Sequence, residues 1–466
     1  MLDKFTKNVA TIGPVTDSEE VIAKLIDAGM NVARFNTKHS SPEWHQERIA
    51  RVRKVAQEKN VSVGILLDLQ GPEIRINLPG EQAFDLIEGE TCVFTADEKL
   101  DATKKVLIPQ NVVDTLQVGN MVLLDDGFCE LEVVKKDKNF LTLKALSPCT
   151  IKHRKTMNIP GITVDMPSLV PADYEQLDGA AKKDLIDFVG LSFVRNKNDI
   201  EFLKKELEKR KIKAQIIAKI ETQAALDNLE EIIAASDAVM VARGDLGVEV
   251  PYEELAFWQK KIINLCRAAA KPVITATQML KSMVEQPRPT RAEVSDVANA
   301  IYDGTDAVML SEETTIGKYP VKAVKTQAKI EMFNEHLTHA HFDLPETDNA
   351  QEVIATSIDE IVTNNNLPFR AIVCLTNTGR SARLLSRLHP SLPIVAITPD
   401  ADTYYNLALS YGVLPVLFKE KSVLNMSNAI SYLQKEKVLQ TGEQVIVMHG
   451  TKETTGSTDT ISIVKI

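Results

Sequence analysis

The chain has 466 residues, too many for one hydrophobic core, so two or three domains are expected. With 44% hydrophobic and 25% charged residues it reads as an ordinary globular protein. Only 5% aromatics and a net charge of -10 argue against general binding of nucleic acid or anionic membrane, while leaving room for a local phosphate site.

The start, Met1 to Lys7, is polar and runs straight into Val9-Ala10-Thr11-Ile12, leaving no apolar region for a signal peptide. No apolar stretch approaches the ~18 residues that span a bilayer, and a cytoplasmic protein is expected. The five cysteines (Cys92, Cys129, Cys149, Cys266, Cys374) form no CxxC pair and read as separate reduced thiols. Of the eight histidines, His336, His339 and His341 cluster, at a position that reads as a solvated domain junction.

A short apolar run, a polar tip and an amphipathic helix then recur along the chain. The predicted strands are Val9 to Ile12, Asn31 to Asn36, Val63 to Asp68, Asp187 to Phe193, Gln215 to Glu221, Ala238 to Asp245, Pro272 to Gln278 and Asp306 to Ser311. Helical patterns between them include Ser18 to Asp27, Pro42 to Glu58, Asn196 to Lys211, Leu226 to Ala235, Tyr252 to Ala269 and Thr290 to Asp303. Eight such units predict an α/β fold, a parallel (β/α)8 barrel with its polar tips at the strand C-termini. A doubly wound open sheet would carry a glycine-rich turn after its first strand, and Thr11-Ile12-Gly13-Pro14 does not supply one.

Two segments break the rhythm. Residues 76–156 alternate with period two, turn at Asp125-Asp126-Gly127 and read as a small all-β lid domain inserted in a barrel of residues 1–75 and 157–335. Residues 336–466 read as a separate α/β domain, with strand-like runs Ala371 to Leu375, Pro393 to Ile397, Leu414 to Leu417, Gln444 to Met448 and Ile461 to Val464. Its first run enters Thr376-Asn377-Thr378-Gly379-Arg380-Ser381, where hydroxyls, backbone N–H groups and a guanidinium could cradle a phosphate; a plain helix cap is the alternative.

The barrel tips carry the chemistry. Lys219 and Glu221 end one predicted strand and Asp245 the next, so three charges arrive together at a buried edge. Two carboxylates can hold a divalent cation, and the lysine can face the anion that cation binds. A structural salt bridge is the alternative reading.

Read together, these strings resemble the pyruvate kinase family along almost the whole chain. They include Ala10-Thr11-Ile12-Gly13-Pro14, Asn31-Val32-Ala33-Arg34, Asp68-Leu69-Gln70-Gly71-Pro72-Glu73-Ile74-Arg75, Asn158-Ile159-Pro160-Gly161 and Leu191-Ser192-Phe193-Val194-Arg195. Further along come Met240-Val241-Ala242-Arg243-Gly244-Asp245-Leu246-Gly247, Thr275-Ala276-Thr277-Gln278-Met279-Leu280 and Pro287-Arg288-Pro289-Thr290-Arg291-Ala292-Glu293. The resemblance implies phosphoryl transfer from phosphoenolpyruvate to ADP, giving pyruvate and ATP, the final step of glycolysis. It implies Mg2+ or Mn2+ on Glu221 and Asp245, Lys219 and Arg34 on the phosphoryl group, and Gly244 and Asp245 near the substrate carboxylate. Thr277 would sit near the enolate carbon, with Ser311 and Glu313 as further members of a proton route. Asn36, His39, Arg75 and Lys155 match positions used for the nucleotide. The matching Thr376–Ser381 turn implies a sugar-phosphate or nucleotide effector, and the family implies a homotetramer. Because the chain ends at Ile466, a member without the additional C-terminal domain of some bacterial relatives is expected.

Three departures stand out. Most members read Asn-Phe-Ser-His-Gly where this chain has Asn36-Thr37-Lys38-His39-Ser40, and the replaced serine joins Asn36, Asp68 and the Leu69 carbonyl around K+. Lys38 is therefore expected to supply an internal cation, neutralise Asp68 and remove the K+ requirement; in the alternative it swings to solvent and an ordinary K+ site forms. Glu312 and Thr156 also replace glycines. Two other functional classes stay in view: a metal-dependent aldol or lyase barrel, and a phosphoenolpyruvate sensor without turnover.

Overall fold

The computed structural model describes residues 4–182, 185–335, 337, 347–364, 367–450 and 458–466. The clustered histidines 336, 339 and 341 lie outside them. Eight parallel strands close into a barrel: Lys7–Thr11, Val32–Asn36, Gly64–Asp68, Phe188–Leu191, Gln215–Ile220, Ala238–Ala242, Val273–Ala276 and Ala307–Leu310. The first pairs with the second (Val9 with Val32) and with the last (Ala10 with Leu310), so no edge is left.

The strand bodies form because they are buried on both faces, against helices outside and one another inside. Polar side chains set the helix starts. Ser18 accepts from the Val21 N–H, and Thr290 and Glu293 form a reciprocal capping box. Pro42 opens a helix that runs to Glu58, as the pattern predicts. One predicted helix is two: Gln223–Asp227 and Leu229–Ala235 break at Asn228, whose φ of -113° and ψ of 24° leave the helical region. Its side-chain amide donates to the carbonyls of Arg195 and Ala224, which fixes the break.

The insertion forms a six-stranded and a two-stranded sheet with a short helix, Gln110–Thr115, around its own apolar core. Met157–Asn158 pairs with Met121–Leu124, so this sheet reaches past the expected boundary at residue 156. Asp125, Asp126 and Gly127 all have positive φ, the geometry of the tight hairpin turn predicted there. Cys129 and Cys149 form a pair with Cα atoms 5.3 Å apart. That corrects the expectation of five separate thiols, because the lid sheets bring together residues that their sequence spacing leaves unrelated. Cys92, Cys266 and Cys374 are free and buried.

The C-terminal sheet orders its strands Val413–Leu417, Ile394–Thr398, Phe369–Leu375, Gln444–Gly450 and Thr458–Lys465, the last antiparallel. Ala408 and Leu409 leave this domain to join Val9, Val32, Leu66, Phe188 and Ile274 in the barrel interior, closing its floor. Among the described residues, no helix is long and apolar enough to cross a membrane.

Candidate active site

The strand tips meet at the barrel mouth in an alternating row of buried charges. Arg34, at the end of the second strand, donates through Nε to Asp68 Oδ2 at 2.7 Å and through Nη1 to the Thr11 hydroxyl at 2.9 Å. Asp68 ends the third strand and is 1% exposed. Its other oxygen lies 3.3 Å from Lys219 Nζ, which is 2.9 Å from Glu221 Oε1 and donates to the Ser192 hydroxyl at 2.6 Å. The Ser192 hydroxyl in turn donates to the Leu69 carbonyl. Phe193 N–H donates to Glu221 Oε2 at 2.7 Å. Gly190 permits the row, since a Cβ there would meet Asp68 Oδ1 at 2.8 Å.

Burial alone would raise the Asp68 pKa, but the Lys219 and Arg34 charges outweigh it and hold the carboxyl below its ordinary value. Burial likewise works against the Lys219 ammonium, yet Asp68 and Glu221 keep its pKa above the usual lysine value. Both groups are therefore ionised. Asp245 stands in the first turn of the helix Arg243–Glu249. Burial and then the Glu221 charge push its pKa up to about 6.

These two acids fit a divalent cation. Glu221 Oε1 is buried and accepts no hydrogen bond, because the Lys219 ammonium, though near, lies off the bonding direction. Asp245 is destabilised as an anion by Glu221, which an intervening cation would relieve. No group of three or more His, Cys, Asp or Glu side chains able to hold a metal occurs among the described residues, so an ion here needs oxygens from water or a ligand.

Thr277 follows the seventh strand with φ of 70°, an outlier for a β-branched residue. Its hydroxyl accepts the Gly244 N–H at 2.8 Å and donates to the Ala276 carbonyl. The Gly244 amide is thus already engaged. Glu313 receives the Ser311 and Leu280 N–H groups and braces the last loop, while Glu312 pairs with Lys281 on the surface.

The expected nucleotide residues spread toward the lid. Arg75 chelates Glu73 through Nε and Nη2 and donates to the Arg154 carbonyl, and Lys155 binds Asp125 at 2.6 Å. Asn36 accepts from the Lys38 amide, and the His39 amide bonds the Asn36 carbonyl. Lys38 Nζ lies 3.3 Å from Glu73 Oε1 and 5.9 Å from the Phe193 ring centre. Its partner is Glu73, not Asp68, which corrects the expectation that Lys38 neutralises Asp68: Arg34 and Lys219 already do so.

In the C-terminal domain, Gly379 with φ of 78° opens the helix Arg380–Ser386. The Thr376 hydroxyl caps the Gly379 N–H, the Thr403 hydroxyl donates to the Asn377 carbonyl, Arg383 donates to the Thr378 carbonyl and the Ser381 hydroxyl meets Thr458.

Several supports carry no signal of their own in the sequence. Thr11 and Ser192 lie inside quoted strings, yet nothing local says that they hold Arg34 and Lys219. Asp173 fastens the Gln70 and Gly71 amides from a distant helix, and Glu249 accepts from Asn158 at the lid exit.

The family profile described as pyruvate kinase, barrel domain, matches residues 3–324, and that described as pyruvate kinase, alpha/beta domain, matches residues 352–464. The chain is 40% identical to a pyruvate kinase of Staphylococcus epidermidis, with 99% of this chain and 80% of the relative covered. Identity is 41% to a pyruvate kinase of Staphylococcus aureus over the same shares. A crystal structure of a pyruvate kinase from Cryptosporidium parvum superposes with a TM-score of 0.92 at 34% identity, covering 99% of this chain and 96% of that one.

Proposed function

The chain belongs to the pyruvate kinase family, and from that premise we propose that it moves the phosphoryl group of phosphoenolpyruvate to ADP, giving pyruvate and ATP in the cytoplasm. The observation that carries this reading is the buried Lys219 ammonium, held by Asp68, Glu221 and Ser192 beside Arg34 at the barrel mouth.

Arg34 grips the substrate phosphate, and Lys219 offsets charge that spreads over the phosphoryl oxygens in the transition state. Mg2+ or Mn2+ bound at Glu221 and Asp245 would supply Lewis-acid charge toward the substrate's oxygens. Gly244 and Asp245 meet the substrate carboxylate, the amide exchanging its bond to Thr277. Thr277 stands beside the enolate carbon, where a proton taken from solvent and relayed past its hydroxyl completes pyruvate. Asn36, His39, Arg75 and Lys155 hold the nucleotide beneath the lid.

The enzyme runs without K+. Lys38 places a fixed charge against Glu73 at the edge of the monovalent site formed by Asn36, Asp68 and Leu69. Two like charges ~4 Å apart cost about 4 kcal/mol at an effective dielectric of 20, an upper bound on the exclusion of K+ because Glu73 offsets part of the Lys38 charge. The assembly is a homotetramer, and the turn Thr376 to Ser381 binds the phosphate of a sugar phosphate or nucleotide that tunes activity.

The test is to incubate the protein with phosphoenolpyruvate, ADP and Mg2+ in tetraalkylammonium buffer and follow pyruvate and ATP, adding K+ afterwards. Pyruvate and ATP in equal amounts support the reaction; binding without turnover makes the protein a sensor, and other products make it a lyase. Activation of about tenfold or more by K+ would sink the internal-cation reading. Glu221→Gln and Asp245→Asn are expected to raise the Mg2+ requirement sharply, and unchanged Mg2+ titrations would remove those residues from the metal site.

A further inference from the structure

A second concentration of positive charge lies at the opposite end of the barrel, in a cleft of about 430 Å³ between the barrel floor and the C-terminal domain. One wall is a single helix face: Arg380, Arg383 and Arg387 follow at spacings of three and four residues. The facing wall is the barrel's own, with Lys271 after one helix and Asp237 before a strand.

Arg387 is anchored, donating to the Ala268 carbonyl at 3.1 Å and pairing with Glu352 at 3.0 Å, yet its Nε is buried and bonds nothing. Arg383 donates to the Thr378 carbonyl and Lys271 to the Ser236 carbonyl, at 3.0 and 2.6 Å. Neither of them, nor Arg380, makes an ion pair among the described residues. Two carboxylates line the cleft; with Glu352 taken by Arg387, Asp237 faces the other three cations, and it accepts the Ile216 N–H. Glu352 and the Ala268 carbonyl account for Arg387; Arg380, Arg383 and Lys271 converge on the cavity with Asp237 as the one carboxylate left to balance them.

We propose that this cleft binds a small phosphate-bearing dianion, held between Lys271 of the barrel and the Arg380, Arg383 and Arg387 face of the C-terminal domain. Guanidinium forks match phosphate oxygens two at a time, and the lysine adds a point charge from the far wall. Burial pulls the Arg383 and Lys271 pKa values below their ordinary values; Asp237 opposes it in both, and the cationic neighbours, Arg380 for Arg383 and Arg383 for Lys271, add to it. Since its two walls belong to different domains, the ligand would lock their relative position. The cleft shares Thr378 and Arg380 with the turn Thr376 to Ser381, but Lys271, Arg383 and Arg387 lie outside that turn, and Lys271 and Arg383 carry the test.

Inorganic pyrophosphate is the probe, titrated calorimetrically into the full chain without Mg2+. Binding is expected in the wild type and in Lys219→Met, which lacks the phosphate contact at the barrel mouth. Lys271→Gln and Arg383→Gln are each expected to weaken it by about tenfold or more, the loss of one charged hydrogen bond. Should Arg383→Gln misfold, Lys271→Gln on the opposite wall decides, with unchanged melting in the absence of ligand as its control. Absence of binding at millimolar pyrophosphate overturns the proposal. So does binding that vanishes in Lys219→Met but survives in Lys271→Gln, or that only Thr376→Ala and Ser381→Ala abolish.

Discussion

The two ends of the barrel bury ionisable groups equally well and treat them in opposite ways. At the mouth, Asp68 and Lys219 are held in their charged forms, each by the other and by Arg34 or Glu221, with Asp245, the candidate metal ligand raised to about 6, as the exception. At the floor, burial pulls Lys7 down to about 7, Asp306 up to about 6 and Glu331 up to about 7. Floor groups bond mostly to backbone: Lys7 donates to the Val413 carbonyl, and Asp306 accepts the Tyr411 and Val273 N–H groups. Glu331 has one ammonium, that of Lys4, at 2.8 Å. What separates the two ends is the density of opposite charge, not the depth of burial. A mouth whose Asp68–Lys219 pair stays charged can receive an anion beside a cation; a floor that drifts toward neutrality can be packed over by another domain.

The sharpest break of this contrast is Lys219→Met. Phosphoryl transfer is expected to slow at least ~10²-fold with little change in substrate binding, a transition-state contact of ~3 kcal/mol or more. Near-native turnover in a rapid-mixing assay would remove Lys219 from the mechanism. Next, Asp68→Asn strands Arg34 and Lys219 beside each other and is expected to cost ~3 kcal/mol, read from denaturant midpoints. Leu409→Ala, at the floor, opens a cavity shared by two domains and is expected to cost about 2 kcal/mol or more. The smallest effect is in pH. Folded Asp306 and Glu331 keep protons that the unfolded chain releases near 3.8 and 4.5, so their contribution falls as pH rises toward 6 and 7. Folded Lys7 has lost its proton above about 7 while the unfolded lysine keeps it to 10.5, so its contribution rises with pH over that window. Lys7→Met is expected to flatten that rise, and a stability curve identical to the wild type above pH 7 would take Lys7 out of the floor network.

Much of this was legible in order along the chain. Most barrel strands announce themselves because a parallel strand buried on both faces is mainly apolar and turns polar toward its end, as at Asn36, Asp68 and Lys219-Ile220-Glu221; Lys7 and Asn8, buried at the start of the first strand, do not follow that pattern. Partner choice was not legible. Lys38 pairs with Glu73, while Asp68 is neutralised by Arg34 and Lys219 from the second and fifth strands, a fact of three-dimensional adjacency. The Asn228 break, the Cys129–Cys149 pair and the floor residues Ala408 and Leu409 likewise depend on groups remote in sequence.

Those last two residues bear on how the protein is made. The eighth barrel strand ends at Leu310, but the floor of the barrel is supplied by Ala408 and Leu409, far later in the chain. On a translating ribosome, the barrel strands therefore emerge complete and still open to water at one end, an apolar well facing the solvent for as long as the intervening helices take to be synthesised. Until the stopper arrives, that well is the natural grip for a chaperone and the natural starting point for misassembly between neighbouring nascent chains.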